Sequence, residues 1–252
     1  MLKRLLIFII IILLLALLSI FFPYLTGNTT NNQQQTTYQR EPAIVTRIVD
    51  GDTIHVKIEN GSEEIIRLLG INTPEKNKPY YQEAKDFLKS EIENKSIEIL
   101  RDIEDIDRYD RKLRYIFYND QLINVEIVQE GLATTFMLEG LKYKDKFINA
   151  EKFANNNGIA LWRKSQDSCA SCIILIKLEP IDDYFIIKNS CNKICNLSGW
   201  IVKDDANHFT YLDSLNTGEE KEYKTKTEIW NDDHDRFFMR DEKGDLVIFY
   251  EY

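Results

Sequence analysis

Arg67-Leu68-Leu69-Gly70-Ile71-Asn72-Thr73-Pro74-Glu75 is the stretch on which the fold of this 252-residue chain turns. Residues 64–71 are rich in β-branched and apolar side chains, which predicts a strand, and Arg67 places a guanidinium on it. Asn72 and Thr73 put oxygen atoms at the strand's end, and Glu75 leaves a carboxylate in the loop beyond. Two more strands precede this one, over residues 43–49 and 53–58, and Asn60-Gly61 supplies the tight turn of a hairpin. Downstream, a helix is expected over residues 80–94 with Ala84, Phe87, Leu88 and Ile92 on one face. Strands at 96–100 and 112–118 flank an acidic loop, and helices at 122–130 and 143–156 end on Gly131 and Gly158. This α+β order suits a five-stranded OB barrel, although order alone fits other α+β folds as well.

Three clusters carry chemistry. Asp50-Gly51-Asp52-Thr53 exposes carboxylates at the start of a strand, Arg67 through Glu75 forms the second cluster, and Asp107-Arg108-Tyr109-Asp110-Arg111 leads into the fifth strand. Taken singly, each has a plain reading. Asp-Gly-Asp is usually a turn, a strand arginine is usually a surface residue, and Arg-Tyr-Asp-Arg is commonly a charged loop. Together they are the kit for phosphodiester hydrolysis: oxygen ligands for a hard cation, a carboxylate for the attacking water, and two guanidiniums for the charge on the phosphate.

On these clusters, with Val128-Gln129-Glu130-Gly131-Leu132-Ala133 and Gly158-Ile159-Ala160-Leu161-Trp162, residues 43–163 resemble the staphylococcal nuclease (thermonuclease) family. The resemblance implies a nuclease domain over residues 42–165, an OB fold, and an active site at one end of the barrel. It implies that Asp52, Asn72 and the Thr73 carbonyl hold Ca²⁺ and that Glu75 is the general base or water-positioning group. Arg67 and Arg111 then stabilise the transition state, Tyr109 contacts a substrate phosphate, and the substrates are DNA and RNA cut with little sequence preference. The family usually has aspartate where this chain has Asn72. The substitution keeps a carbonyl oxygen but removes a negative charge, so weaker Ca²⁺ binding is expected. The loop after Glu75 is short, and no tyrosine near Phe136 and Met137 matches the one that stacks on the base in the best-known member.

After Trp162 the texture changes. Seven short β-branched and aromatic runs between residues 173 and 250, separated by turn clusters, predict a β-sandwich. Residues 196–204, 229–235 and 241–246 look like a lamin-tail domain, which implies an immunoglobulin-like sandwich over about residues 169–252 with a binding or positioning role and a partner left open. Asp232, Asp233 and Asp235 read as a strand-entry turn rather than a metal site. Cys169, Cys172, Cys191 and Cys195 stand near a zinc-ribbon spacing, but export favours two disulfides, with a Cys₄ zinc site as the rival and three connectivities open. His55, His208 and His234 are scattered, and none reads as a ligand or base.

The N-terminus explains that expectation of export. Lys3 and Arg4 precede an apolar run over residues 5–22, so segment 1–25 is expected to be a transmembrane anchor, with a removed signal peptide as the alternative. The flanking positive charges keep the N-terminus cytoplasmic. Residues 26–41 read as a polar tether, leaving the folded part on the extracellular side of the cell membrane, or secreted. The hydrophobic content of 44% and charged content of 29% are those of a folded chain. A net charge of −9 weighs against a passive DNA binder but not against an enzyme whose metal site needs carboxylates. The expectation is therefore an exported Ca²⁺-dependent nuclease. A nuclease-like barrel kept only as a binding scaffold is the alternative.

Overall fold

Alternation builds the first strand. In β1 (Glu41–Ile48) Ala43 and Val45 are buried, and a bulge between Val45 and Arg47 shifts the register so that Ile48 is the next buried residue. In the computed structural model, residues 39–225, 230–231 and 235–252 are described. The expected anchor at 1–25, nearly all of the tether, and Asp232, Asp233 and His234 lie outside them. No helix among the described residues is long and apolar enough to cross a membrane.

β1 pairs antiparallel with β2 (Thr53–Ile58), which pairs with β3 (Glu63–Leu68). The third strand was expected to run on to residue 71. Instead it stops at Leu68, because Gly70 takes φ +82° and turns the chain, and the short β4 (Ile71–Asn72) leaves in a new direction. A Cβ at Gly70 would lie 2.9 Å from the Phe147 ring, so only glycine turns here without displacing the core. α1 (Tyr81–Ile92) packs Ala84, Leu88 and Ile92 inward at four-residue spacing. β5 (Ser96–Leu100) returns to β1, and β6 (Lys112–Tyr118) pairs with β5 on one side and parallel with β3 on the other. That last pairing closes five strands into the barrel of an OB fold. β7 (Gln121–Leu122), α2 (Ile123–Gln129), β8 (Thr134–Thr135) and α3 (Lys144–Asn156) complete this part. β8 pairs with β4. Asn124, fully buried in α2, accepts from the Ile116 N–H and donates to the Leu69 and Arg114 carbonyls, tying the turn after β3 to the barrel.

The remaining strands are β9 (Ile173–Glu179), β10 (Tyr184–Asn189), β11 (Ile201–Lys203), β12 (Phe209–Tyr211), β13 (Glu220–Lys224), β14 (Arg236–Arg240) and β15 (Leu246–Glu251). They form a sheet of order β13-β10-β9 and another of order β12-β11-β14-β15. Both sheets bury side chains in one core, including Phe185 and Tyr223, stacked at 5.2 Å, and Phe237, edge-on to Phe185 at 5.4 Å. Cys169 is bonded to Cys195 and Cys172 to Cys191, with Cα separations of 5.9 and 5.2 Å. A further cluster joins barrel to sheets. Leu161 and Trp162, in a turn of 3₁₀ helix after α3, pack with Ala154 against Phe238 and Leu246, and the Trp162 ring meets Phe249 edge-on at 5.2 Å. Backbone bonds cross here too, from the Leu246 N–H to the Arg163 carbonyl at 2.7 Å and from the Ser165 N–H to the Leu246 carbonyl at 3.0 Å.

Candidate active site

The turn between β1 and β2 aims Asp52 into the mouth of the barrel. The Asp52 N–H donates to Asp50 Oδ1 at 3.1 Å, so the first carboxylate of the motif shapes the turn that presents the second. Asp52 is buried, and its Oδ2 accepts from both the N–H and the Oγ1 of Thr73, at 3.2 and 2.9 Å. Arg67 reaches the same oxygen with Nη2 at 3.2 Å. Nη2 also donates to the Ile71 carbonyl at 2.8 Å and lies 3.4 Å from Asn72 Oδ1, while Nη1 donates to the Leu68 carbonyl at 2.7 Å. Asp52, Arg67, Asn72 and Thr73, expected together from their places in the sequence, are thus held in one bonded cluster. Burial, and then the charge of Asp52, push the Asp50 carboxyl up to about 6.

Thr53 connects this cluster to Arg111. Its hydroxyl donates to Asp52 Oδ1 at 3.0 Å and accepts from Arg111 Nη1 at 3.1 Å. Asp107 grips the rest of the guanidinium through one carboxylate oxygen, 2.8 Å from Nε and 2.7 Å from Nη2. Burial alone would raise the Asp107 carboxyl. The Arg111 and Tyr109 N–H groups and the Arg111 charge outweigh it and hold the carboxyl below its usual range. Arg111 and Tyr109 line an open groove of about 450 Å³ whose other walls are Arg47, Val49, Thr53, His55 and Ile65. Tyr109 is 63% exposed, which leaves its ring and hydroxyl available to a ligand.

Glu75 stands apart. It is exposed, and no hydrogen bond or ion pair of its side chain is seen among the described residues, while its carbonyl accepts from the Lys78 N–H at 2.9 Å. Two groups of residues escaped the sequence reading. Arg47 and His55 share the groove because β1 and β2 pair them directly, a register that strand alternation could have signalled. Asp205 and Asn207 come from the C-terminal sheets. The Asp205 carbonyl accepts from Asn72 Nδ2 at 2.7 Å, and Asn207 Nδ2 donates to the Thr73 carbonyl at 3.1 Å. No local pattern in the sequence announces either contact.

The donors at the mouth are all hard oxygens: a buried carboxylate, an amide oxygen and a backbone carbonyl, with the Asp50 carboxylate beside them. That chemistry fits a calcium ion whose remaining positions are filled by water. The Cys169, Cys191 and Cys195 sulfurs lie within 4.8 Å of one another, but all three are engaged in the two disulfides.

A closed five-stranded barrel with paired guanidiniums and a carboxylate at its mouth defines a phosphodiesterase of the nuclease class. Residues 65–164 match the family described as Staphylococcal nuclease homologue. The chain is 34% identical to the thermonuclease of Staphylococcus intermedius over 131 residues, covering 49% of this chain and 77% of that protein. It is 34% identical to the thermonuclease of Staphylococcus hyicus over 125 residues, covering 47% and 73%, and 32% identical to endonuclease YncB of Bacillus subtilis over 128 residues, covering 47% and 60%. The chain belongs to the staphylococcal nuclease family.

Proposed function

We propose that this protein is a calcium-dependent nuclease that hydrolyses phosphodiester bonds of DNA and RNA with little sequence preference, held at the outer face of the cell membrane by its N-terminal segment. The observation that carries the reading is the continuous chain Arg67–Asp52–Thr53–Arg111, which sets two guanidiniums on either side of one buried carboxylate beside an open groove. In this reading Asp52, Asn72 Oδ1 and the Thr73 carbonyl hold the calcium ion. When bound, the ion supplies Lewis-acid polarisation of the phosphate. Arg67 and Arg111 meet charge that grows on the phosphate oxygens. Both are already fixed by protein acceptors, so little reorganisation is needed as the charge develops. Glu75 orients the attacking water as substrate fills the loop beside it, and Tyr109 touches a phosphate on the groove wall.

Export is supported by the apolar run at residues 5–22 and by two disulfides, which belong in an oxidising compartment. The C-terminal sheets are read as a lamin-tail-like module. A second reading, a binding scaffold without catalysis, is favoured by one observation, the separation of Glu75 from the bonded cluster. Full-length protein incubated with plasmid DNA and with RNA separates the two. Cleavage of both in Ca²⁺ and none in EGTA is expected. Undiminished cleavage in EGTA would rule out the metal assignment, and binding without any cleavage would establish the scaffold.

A further inference from the structure

The loop between β11 and β12 does more than touch the barrel: it bonds to the two residues at the metal end of the candidate site. Asn72 gives its Nδ2 hydrogen to the Asp205 carbonyl, 133 residues downstream, and the Thr73 carbonyl accepts from Asn207 Nδ2. The orientation of the Asn207 amide is set from behind, because Lys203 Nζ donates to its Oδ1 at 2.8 Å and leaves the NH₂ group facing Thr73. Arg236, 7% exposed, clamps this loop to the barrel. Its Nε lies 2.7 Å from Asp205 Oδ1, its Nη1 2.7 Å from Glu151 Oε2, and its Nη2 donates to the Thr135 carbonyl at 2.6 Å. Glu151 in turn accepts from the Thr135 N–H and hydroxyl at 2.7 and 2.8 Å, and Thr135 pairs with Ile71 in the β4–β8 ladder beside Asn72. One network of direct bonds therefore runs from the C-terminal sheets to the strand that ends in Asn72 and Thr73. The approach is close enough that a side chain at Gly244, between β14 and β15, would collide with Pro79.

We propose that the C-terminal module is a positioning part of the nuclease site: Asn207 and the Asp205 carbonyl, clamped by Arg236, hold the Asn72–Thr73 corner in the geometry that takes up the cation. This rests on the reading of Asp52, Asn72 and Thr73 as the metal end. It also gives a reason for asparagine at position 72. A carboxylate there has no hydrogen to give the Asp205 carbonyl and would face it with like partial charge, whereas the amide bonds the module with Nδ2 and keeps Oδ1 turned to the site. Asn207 is a positioning residue, since its bond is to a carbonyl that would itself touch the metal. Groups of this kind typically carry about 10- to 100-fold in metal affinity.

The test uses full-length protein and calcium chloride alone. Asn207 sits at φ 64°, where glycine is at ease, so Asn207→Gly removes the amide without straining the backbone. Calorimetric titration should show Ca²⁺ binding to Asn207→Gly weakened about 10-fold or more relative to wild type. Hydrogen exchange followed by mass spectrometry should be faster in segments 71–73 and 134–135. Lys221→Ala, at a half-buried surface position on β13 that pairs with Asp213, should alter neither. Arg236→Lys keeps the charge but loses the planar fork, and serves if Asn207→Gly does not fold. Wild-type Ca²⁺ affinity together with unchanged exchange in the variant would overturn the proposal. If wild type itself takes up no Ca²⁺, the metal reading fails and exchange alone decides: faster exchange in segments 71–73 and 134–135 upholds the positioning role, and unchanged exchange ends it.

Discussion

The barrel and the C-terminal module bury apolar surface by different means. The barrel closes on itself through the parallel β3–β6 pairing, and its core from Ala43 to Ala150 is mostly aliphatic, with Tyr115, Phe117 and Phe147 set into it. The module has two open sheets of three and four strands, leans on the aromatic group Phe185, Tyr223, Trp230 and Phe237, and is cross-linked twice at one end. A closed barrel has no edges to protect and needs no staple, whereas a small pair of open sheets gains much of its stability from cross-links and from docking. The contrast assigns chemistry to the rigid closed body and support to the stapled one.

The largest effect should come from the barrel alone. In the proposed mechanism Arg67→Ala and Arg111→Ala each remove a donor for charge that grows in the transition state, and each should lower single-turnover cleavage of a labelled oligonucleotide by about 10²–10³. Glu75→Ala should cost about 10²–10⁴ if it assists the water. The triple variant should lose less than the product of the three, since the groups act on one phosphate. Binding measured in chelator should change far less than turnover. Should wild type cleave no faster than the triple variant, the division of labour collapses and the barrel is a scaffold.

The same contrast marks what could be read in advance. The strands of both parts were legible because short β-branched and apolar runs bounded by turn residues are local signals, as in β2, β5 and β6. Asp52, Arg67 and Arg111 were legible because each sits in a short local motif. The end of β3 at Leu68 was missed, because the apolar run continues past it and only the approach of Phe147 to Gly70 reveals the turn. Asn72 read as a ligand weakened by its missing charge, and its bond to the Asp205 carbonyl went unread because Asp205 lies far along the chain. Arg236 opens β14, yet its fork is spent on Asp205, Glu151 and Thr135. Docking between two folded parts depends on tertiary geometry, which has no period in the sequence.

A smaller effect should fall on the module. Cys169→Ala with Cys195→Ala opens the disulfide that spans 26 residues, and a loop of that length is worth about 3 kcal/mol in the chain-entropy account. Urea unfolding followed by the fluorescence of Trp200 and Trp230, both buried in the module core, should register that loss. Mass spectrometry of exported protein should find no free thiol. Stoichiometric zinc on four reduced cysteines would replace the disulfide account with the zinc one.

The last test concerns Lys203, buried where the two parts meet. Burial, then the nearby Arg240 charge, pushes its amine down to about 7, and Arg236 adds to the repulsion while Asp205 and Asp204 oppose it. The unfolded chain keeps its proton to about 10.5, the ordinary lysine value. Between those values the unfolded state holds more protons than the folded one, so this residue's contribution to stability rises with pH across the window. It is lost as pH falls back to about 7, and below that it no longer changes. The slope cannot exceed about 1.4 kcal/mol per pH unit for a single group. Other groups titrate in the same range, so the measurement is a difference: urea stability of wild type minus that of Lys203→Met, taken at intervals from pH 6.5 to 10. The difference should become more favourable to wild type as pH rises. A flat difference would show that Lys203 stays charged in the fold. The loop that holds Asn207 would then be tied down by an ammonium at every pH, and the junction between barrel and module would be more polar than its burial implies.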